Sequence, residues 1–337
     1  MFSKQEFGID LGTDTIKIYD KRDDSVSIEK NLIAIRNDSD VLAVGNDAFE
    51  MLNREASDTI VSTPSNAGKI SDIRFTEAIL HSLLYKQKHY IGYRSNIYFA
   101  VPIDMTELEK RSYASIAKRG KLRNCSIYLV EKPILDALAL GLPIAKAKGS
   151  TIINIGASGT TLASIADSHV VLNNFFPLGG NVIDFEITAA ARRKNNIIIS
   201  RKDAEKIKIQ ILDDTLGSSN GAFVSGIDTV SGLPRSGFIT SGTVRKTVDQ
   251  VVNELIINLQ DFIQRIPPQI REIAAEEGIY LTGGCSRIHG IAERISKGLG
   301  YPVQQSSLYE QSTVNGLKEV ISYTGANKLA YTPMQRK

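Results

Sequence analysis

Cysteine and histidine are scarce in this sequence of 337 residues, which has two cysteines and four histidines. Cys125 and Cys285 lie far apart, so they form neither a disulfide framework nor the paired spacing of a zinc site. This usage is typical of a protein from a reducing cytoplasm. The histidines show no metal-ligand spacing, and we expect ordinary packed or surface roles for His81, His89, His169 and His289.

Long apolar runs and a strong charge imbalance are also absent. No run reaches the roughly 18 apolar residues that a membrane-spanning helix needs. The first residues, MFSKQEFGID, lack the apolar core and cleavage site of a signal peptide. The net charge of +3 does not favour nucleic-acid binding through bulk charge. With 42% hydrophobic and 23% charged residues the chain is expected to be globular, and its length suits two lobes.

Short β-branched runs alternate with helical patterns along the chain, which predicts an α/β fold. Helical spacing of apolar residues is clearest over residues 248–266, where Pro267 stops the helix. Thr106 and Glu109 have the spacing of a capping box at the start of another helix. The predicted strands are 7–10, 16–20, 96–102, 126–130, 151–155, 162–166, 169–176 and 279–282.

Two stretches about 140 residues apart share one pattern. Residues 8–20 read GIDLGTDTIKIYD, and residues 152–167 read IINIGASGTTLASIAD. Each has a strand, an Asp or Asn, a glycine-containing turn, a return strand with threonine, and a closing Asp. The similarity of the two stretches predicts a duplicated core with one copy in each lobe. A nucleotide gripped by both turns would then lie between the lobes.

The first turn, from Asp10 to Thr15, has residues that suit a phosphate group. Gly12 lets the backbone approach an anion closely because it has no Cβ, and consecutive N–H groups in such a turn bind anions. The hydroxyls of Thr13 and Thr15 add donors, and Asp10 can hold Mg²⁺ through water. The alternative is a plain β-turn in which the Asp serves turn geometry.

The second turn and a later glycine pair are ambiguous when each is taken alone. Gly156 and Gly159 belong to the second turn, for which a plain hairpin is the alternative. Gly283 and Gly284 follow the strand 279–282 and permit close approach of a flat group such as adenine. They could equally form an ordinary strand-to-helix turn. The order and spacing of all three features together are far more specific than any one of them.

Beyond these turns, the sequence resembles the actin, sugar-kinase and heat-shock ATPase superfamily and, within it, the MreB-type bacterial actins. The matching segments extend from about residue 7 to about residue 330. They are DLGT at 10, ISDIRFTEAIL at 70, VPIDMTELEKR at 101, LVEKP at 129, LGGNVID at 178, AEKIKIQI at 204, VSGLPR at 230, PPQI at 267 and LTGG at 281. VSGLPR and the helix with EKR are particular to MreB.

The resemblance implies an actin-like α/β fold with two domains around an ATP cleft. Each domain is expected to have a ribonuclease-H-like core and a smaller subdomain. Domain I is expected at residues 1–142 and 312–337, and domain II at 143–311 with its small subdomain at about 181–244. The resemblance also implies ATP or ADP with Mg²⁺ as cofactors, self-assembly into homopolymer filaments, and a cytoplasmic, cytoskeletal location.

Carried over residue by residue, the resemblance assigns the nucleotide contacts. Asp10 matches the acid that is linked to Mg²⁺ through water. The other positions are Gly12, Thr13, Asp14 and Thr15 in the first phosphate loop, Gly156, Ala157, Ser158, Gly159 and Thr160 in the second, Gly179, Gly180 and Asn181 beside the ribose and phosphates, Glu205 and Lys208 at the ribose and adenine, and Gly283, Gly284 and Cys285 in the adenosine loop.

The sequence departs from the family at the γ-phosphate. The family's Asp-Ile-Gly-Gly-Gly-Thr-Thr-Glu corresponds to residues 154–161, where Asn154 replaces the Asp and Thr161 replaces the Glu. Lys132, next to Glu131, takes the place of the glutamate that orients the attacking water. A protonated lysine donates hydrogen bonds and accepts none, so it cannot take one from water. We therefore expect ATP to bind and to be hydrolysed slowly, unless Glu131 points inward instead.

These departures are similar to those of divergent MreB paralogues from wall-less, swimming Spiroplasma-type bacteria, which implies a role in cell helicity or swimming. Expected partners are other copies of the chain, paralogous actins and the inner face of the cell membrane, but not nucleic acid. In the segment 88–94, Tyr90, Ile91 and Tyr93 could enter the membrane interface between flanking basic residues. A surface loop with partly packed tyrosines is the alternative.

Two other functions fit parts of the pattern. A sugar-kinase-like phosphotransferase would share the fold, but no candidate base Asp follows the second phosphate loop, and VSGLPR argues against it. A chaperone ATPase would need a substrate-binding domain, and we expect none because the matching segments fill the sequence. The preferred hypothesis is therefore an ATP-binding, filament-forming bacterial actin of the MreB type, with the phosphotransferase as its alternative.

Overall fold

The computed structural model is of the α/β class and describes residues 5–37, 40–52, 58–66, 68–86, 95–117, 122, 124–145, 149–212, 220–323 and 325–333. Its strands are β1 (Glu6–Leu11), β2 (Thr15–Asp20), β3 (Ser25–Lys30), β4 (Ile33–Arg36), β5 (Asp40–Val44), β6 (Thr59–Ser62), β7 (Ser65–Asn66), β8 (Lys69–Ile70), β9 (Asn96–Val101), β10 (Ser126–Glu131), β11 (Ser150–Ile155), β12 (Thr160–Ala166), β13 (His169–Phe176), β14 (Ile197–Ile198), β15 (Gly221–Asp228), β16 (Pro234–Thr240), β17 (Ile279–Thr282) and β18 (Val303–Gln305). Its helices are α1 (Asn46–Met51), α2 (Ile73–Lys86), α3 (Glu107–Ala117), α4 (Lys132–Ala139), α5 (Gly180–Asn195), α6 (Arg201–Leu212), α7 (Ser241–Arg265), α8 (Pro268–Glu276), α9 (Ile291–Leu299) and α10 (Ser312–Ser322).

The chain folds as two compact units. Unit 1 consists of Met1–Gly149, Ile165–Asn173 and Gln311–Lys337, and unit 2 consists of Ser150–Ser164 and Asn174–Glu310. Unit 1 therefore includes α10, which comes from the C-terminal part of the chain. None of the helices in the described part of the chain has the length and apolar character needed to cross a membrane.

A five-stranded sheet with the order β10-β9-β1-β2-β3 lies in unit 1. β1 pairs antiparallel with β2 and parallel with β9, which is also parallel to β10. Side chains of a strand alternate between the two faces of a sheet. Phe7, Ile9 and Phe99 accordingly enter one apolar core, and Tyr98 and Ala100 enter another. Apolar contacts therefore fix the sheet on both faces.

A second five-stranded sheet has the order β13-β12-β11-β17-β18. Here β17 is parallel to both β11 and β18. Each large sheet thus consists of three strands that are consecutive in the sequence and two later strands that lie parallel to the first of the three. Parallel neighbours require crossover connections. The two similar glycine-containing turns join β1 to β2 and β11 to β12. The similarity of residues 8–20 and 152–167 predicts a duplicated core, and the shared strand order of the two sheets confirms it.

The eight strands predicted from sequence are all present, with ends that differ by at most two residues. The capping box also forms, since Glu109 Oε2 accepts from the Thr106 N–H at 2.7 Å and Thr106 Oγ1 accepts from the Glu109 N–H at 3.2 Å. α7 ends just before Pro267, as predicted. The strands of the β5-β4-β6 and β14-β15-β16 sheets are absent from the sequence-based prediction. Many of their residues are exposed, so their apolar alternation is weak.

α10 holds the start of α4 in place within unit 1. Gly316 of α10 packs so closely on α4 that a Cβ atom there would lie 2.0 Å from the Leu135 carbonyl oxygen. Thr313 donates a hydrogen bond to the buried carboxylate of Asp136 at 2.7 Å. α4 therefore begins at a fixed position, and its first residue is Lys132.

Candidate functional site

Asp10, near the end of β1, lies between two lysines of unit 1. It pairs across the sheet with Lys17 of β2, so both side chains project from the same face. Lys17 Nζ lies 3.5 Å from Asp10 Oδ2 and donates to Thr15 Oγ1 at 2.9 Å. Lys132 Nζ forms an ion pair with Asp10 Oδ1 at 2.9 Å. Asp10 and Lys17 are each 4% exposed, whereas the side chain of Lys132 is 22% exposed.

The ionisation of Asp10 follows from this arrangement. Burial alone would raise the pKa of its carboxyl, because the charged form loses hydration. The ammonium groups of Lys132 and Lys17 outweigh the effect of burial and hold the pKa of Asp10 below its ordinary value. The cluster therefore has one negative and two positive charges at neutral pH.

The surroundings of Asp10 do not favour the Mg²⁺ ion predicted there. Mg²⁺ is bound by oxygen atoms, directly or through its waters, whereas a lysine ammonium offers only donors. Both oxygens of the Asp10 carboxylate face such donors. Among the residues that the structure describes, no group of three or more His, Cys, Asp or Glu side chains could hold a metal ion. The cluster therefore fits an anion better than a cation.

The first turn is closed by its own backbone. The Gly12 N–H donates to Thr15 O at 3.0 Å, and a Cβ at Gly12 would lie only 2.6 Å from that oxygen, so the turn requires glycine. The side-chain amide of Asn31 stabilises the turn, because it donates a hydrogen bond to Gly12 O at 2.8 Å. The predicted site residue Asp14 instead forms an ion pair with Lys30 at 2.9 Å.

The two threonine hydroxyls of this turn accept hydrogen bonds from the protein. Thr13 Oγ1 accepts from the Gly68 N–H at 3.0 Å, and Thr15 Oγ1 accepts from Lys17. A hydroxyl that accepts in this way still has its own O–H with which to donate. These contacts therefore fix the orientation of both hydroxyls at the first turn.

The second turn lies against the start of α5. The Gly180 N–H donates to Gly156 O at 3.0 Å, and the Asn181 N–H donates to Ala157 O at 2.8 Å. A Cβ at Gly179 would lie 2.6 Å from Gly156 O, so this approach also requires glycine. The structure therefore brings together two predicted groups of site residues that are separate in the sequence.

Two further contacts fix the second turn. Thr160 is fully buried and donates to Leu178 O at 2.6 Å. A Cβ at Gly159 would lie 2.3 Å from Phe176 O, so a side chain there would force the turn open. Thr161 is partly buried on β12. The predicted phosphate-loop roles of Gly159, Thr160 and the partly buried Ser158, and the predicted γ-phosphate position of Thr161, stay predictions.

Gly283, the first of the glycine pair, lies against the end of β11. Its φ of +91° is in the region that favours glycine, and a Cβ there would lie 2.5 Å from Asn154 Oδ1. Asn154 itself is paired in register with Thr282. Cys285 Sγ lies 3.6 Å from Gly156 O. The predicted adenosine loop and the second turn are therefore neighbours within unit 2.

Lys208, predicted to contact ribose or adenine, is held by an acid within unit 2. Its Nζ lies 2.6 Å from Oδ1 of Asp184 on α5 and donates to Gly180 O at 3.4 Å. Burial raises the pKa of the Asp184 carboxyl more than the Lys208 charge lowers it. The side chain of Asn181 accepts a hydrogen bond from Arg201. These contacts join α6 to the start of α5.

The remaining predicted residues occupy the ends or sides of helices. Glu131 is the N-cap of α4, directly before Lys132. Glu205 is partly buried on α6, and Gly284 begins a 3-10 turn after β17. Their predicted contacts with nucleotide stay predictions.

Several partners of the predicted site residues are absent from the sequence-based prediction, among them Lys17, Asn31 and Asp184. Lys17 interrupts the apolar residues of TIKIYD, and its 4% exposure is unusual for lysine. That interruption is a local signal that could have identified it. Asn31 and Asp184 have no comparable signal, because each is defined by a partner on another element.

The chain is similar to known proteins over nearly its whole length. A family model described as MreB/Mbl protein matches residues 4–328. The cell shape-determining protein Mbl of Bacillus cereus is 28% identical over 307 residues, which cover 90% of this chain and 91% of that protein. MreB 5 of Spiroplasma citri bound to AMPPNP has a TM-score of 0.88 at 24% identity, covering 97% of this chain and 99% of that one.

A chain of the MamK double helical filament has a similar fold, with a TM-score of 0.77 at 18% identity over 95% of this chain and 99% of that one. Both structural matches are below 25% identity, so they bear on the fold alone. They confirm the predicted actin-like α/β fold class.

We expect Asp10→Asn to reduce the stability of the protein strongly. The amide keeps the shape of the carboxylate but leaves the buried Lys17 ammonium without a counter-charge. Breaking a buried ion pair in this way costs roughly 3–5 kcal/mol. Urea unfolding followed by circular dichroism at neutral pH measures the change. Because the folded pKa of Asp10 is lowered, the difference between the proteins should be present above about pH 4 and shrink in acid.

The matched control is Asp24→Asn, which removes a carboxylate from the more exposed pair with Lys318. Its cost should stay below about 1 kcal/mol, because exposed pairs contribute little. Equal effects of the two substitutions would contradict the special role of the Asp10 cluster.

Proposed function

The chain belongs to the MreB/Mbl family of bacterial actins, and from this we propose that it is an ATP-binding filament protein that acts in cell shape. Its relative from Bacillus cereus is named for cell-shape determination, and a related fold forms the MamK filament. A shared fold does not by itself fix a function. The proposal therefore depends on the residues of this chain.

The proposed ligand is ATP or ADP. The observation that carries this proposal is the Lys17–Asp10–Lys132 cluster, whose net positive charge lies at the strand that leads into the Gly12 turn. The second turn supports it as a compact glycine turn, because Gly156 and Ala157 are held against Gly179 and the start of α5 by backbone hydrogen bonds. MreB 5 of Spiroplasma citri, whose fold is similar, is bound to AMPPNP.

We further propose that hydrolysis is slow. Phosphoryl transfer to water needs a group that orients the water and accepts its proton. Lys132, at the position of the family's water-orienting glutamate, is an ammonium held by Asp10. Asn154 and Thr161 replace two further acids with neutral side chains. Each of the three changes removes a carboxylate that could take up a proton, while the glycines of the proposed phosphate loops remain.

Lys132→Glu should accelerate ATP cleavage, because it restores an acceptor at the position where the family orients water. We expect at least about a tenfold increase, a modest share of what a positioned base can contribute. Single-turnover release of phosphate from bound ATP measures the rate, with ATP binding measured separately for each protein.

Lys318→Glu is the control, because Lys318 forms an exposed ion pair with Asp24 elsewhere in unit 1. Its rate should equal that of the unmodified chain. Release by the unmodified chain as fast as that of Bacillus cereus Mbl would contradict slow hydrolysis.

Self-assembly is tested by sedimentation of the protein without nucleotide, with Mg-ATP and with AMPPNP. We expect filaments in both nucleotide conditions and similar amounts in the pellet, because slow hydrolysis leaves ATP intact during assembly. Electron microscopy of the pellets distinguishes filaments from aggregates. A chain that stays monomeric in all conditions would favour the sugar-kinase-like alternative.

A role in helicity or swimming, paralogous actin partners and a location at the inner face of the membrane belong to the same proposal. The candidate membrane contact, residues 88–94, lies outside the described residues. Its sequence combines Tyr90, Ile91 and Tyr93 with flanking basic residues, a pattern that suits an anionic lipid surface.

The triple variant Tyr90→Ser, Ile91→Ser, Tyr93→Ser should lose most of its binding to anionic liposomes in co-sedimentation. The reason is that serine removes the apolar area that would enter the interface. Filament formation without lipid should be unchanged. Equal liposome binding by the variant and the unmodified chain would eliminate this segment as the contact.

A further inference from the structure

We propose that the nucleotide site of this chain works without Mg²⁺, because Lys17 and Lys132 supply the positive charge that a divalent cation would otherwise bring. This inference rests on the proposed binding of ATP or ADP. It concerns the Asp10 cluster, which consists of Asp10, Lys17 and Lys132. The cluster lies wholly within unit 1.

The first step concerns the ligands that Asp10 can offer. A carboxylate holds Mg²⁺ directly or through a water molecule that donates to its oxygens. Lys132 Nζ lies 2.9 Å from Oδ1, and Lys17 Nζ lies 3.5 Å from Oδ2. A hydrated cation would have to displace an ammonium group or approach two of them at close range. Like charges at such distances repel, most strongly where solvent is excluded.

The second step concerns how firmly the lysines are held. Lys17 is fixed by its register opposite Asp10, by its burial and by its hydrogen bond to Thr15. Lys132 is the first residue of α4, whose position is set by the close packing of Gly316 on Leu135. Neither ammonium is therefore a mobile surface charge that can leave at low cost.

The third step concerns the charge that a bound nucleotide would meet. One carboxylate with two ammonium groups has a net charge of +1. One carboxylate with one divalent cation has the same net charge. The cluster thus provides the electrostatic environment of a metal-loaded acid without the metal. It also keeps donors that can turn towards phosphate oxygens, because each ammonium has three N–H groups.

The decisive experiment is isothermal titration calorimetry of the full chain with ATP, once in saturating Mg²⁺ and once in excess EDTA. We expect the two dissociation constants to agree within about threefold, which is well below a tenfold difference in affinity. Each titration is made on protein from size-exclusion chromatography, at a concentration at which sedimentation with ATP leaves the chain in the supernatant, so that the heat of assembly does not enter the comparison.

A double variant, Lys17→Met with Lys132→Gln, tests the cause. It removes both ammonium groups while keeping side chains of similar length, so Asp10 becomes available to a cation. Binding of ATP should then require Mg²⁺, with at least about a tenfold loss of affinity in EDTA. If circular dichroism indicates that this variant is unfolded, the single variant Lys132→Gln replaces it, because Lys132 is the more exposed of the two lysines.

The matched control is Lys86→Met with Lys318→Met. These lysines form ion pairs with Asp47 and Asp24 in unit 1, away from Asp10. The control should bind ATP equally well with and without Mg²⁺, like the unmodified chain.

The possible outcomes separate the two proposals. ATP binding by the unmodified chain only in Mg²⁺ would overturn the inference and leave the proposed nucleotide binding intact. Absence of binding in both conditions would overturn the nucleotide proposal itself. A double variant that remains independent of Mg²⁺ would show that the lysines are not the cause and would also overturn the inference.

Discussion

The Asp10 carboxylate is buried between two ammonium groups, and this ion cluster links three elements of unit 1. β1 supplies the acid, β2 supplies Lys17, and α4 supplies Lys132. A cation in the first turn of a helix is opposed by the helix dipole, so Lys132 would be unfavourable there by itself. Its ion pair with Asp10 offsets that cost. The packing of α10 on α4 keeps the geometry in place.

Unit 2 depends on a different constraint, which is close approach of backbone to backbone. At Gly159, Gly179 and Gly283, a Cβ atom would lie within 2.6 Å of a backbone atom of a neighbouring segment. Each contact brings two segments together that are distant in the sequence. The second turn, the start of α5 and the loop after β17 consequently form one cluster. In the proposed function, these are the segments that surround the phosphates and the adenosine.

Membership of the MreB/Mbl family and the proposed slow hydrolysis are compatible in physical terms. The proposed binding of a nucleotide depends on glycine turns and positive charge, and the chain has both. Cleavage depends in addition on acceptors placed at the γ-phosphate. In the proposed function those positions hold Lys132, Asn154 and Thr161, none of which has a carboxylate that could take up a proton. A filament protein that holds ATP for long would retain the first set and lose the second.

The α/β class, eight of the strands, the capping box of α3 and the duplicated core follow from the residues alone. These features depend on local periodicity and on glycine spacing, which are visible along the chain. The family, too, was evident from motifs such as DLGT, VSGLPR and LTGG. Three sets of contacts become visible only in the folded chain. They are the ion pairs of Asp10 with Lys17 and Lys132, the ion pair of Asp184 with Lys208, and the hydrogen bond from Asn31 to the first turn. Each of these contacts joins residues on different elements. Strand register and helix packing set such distances, and neither can be read from the residues near one position.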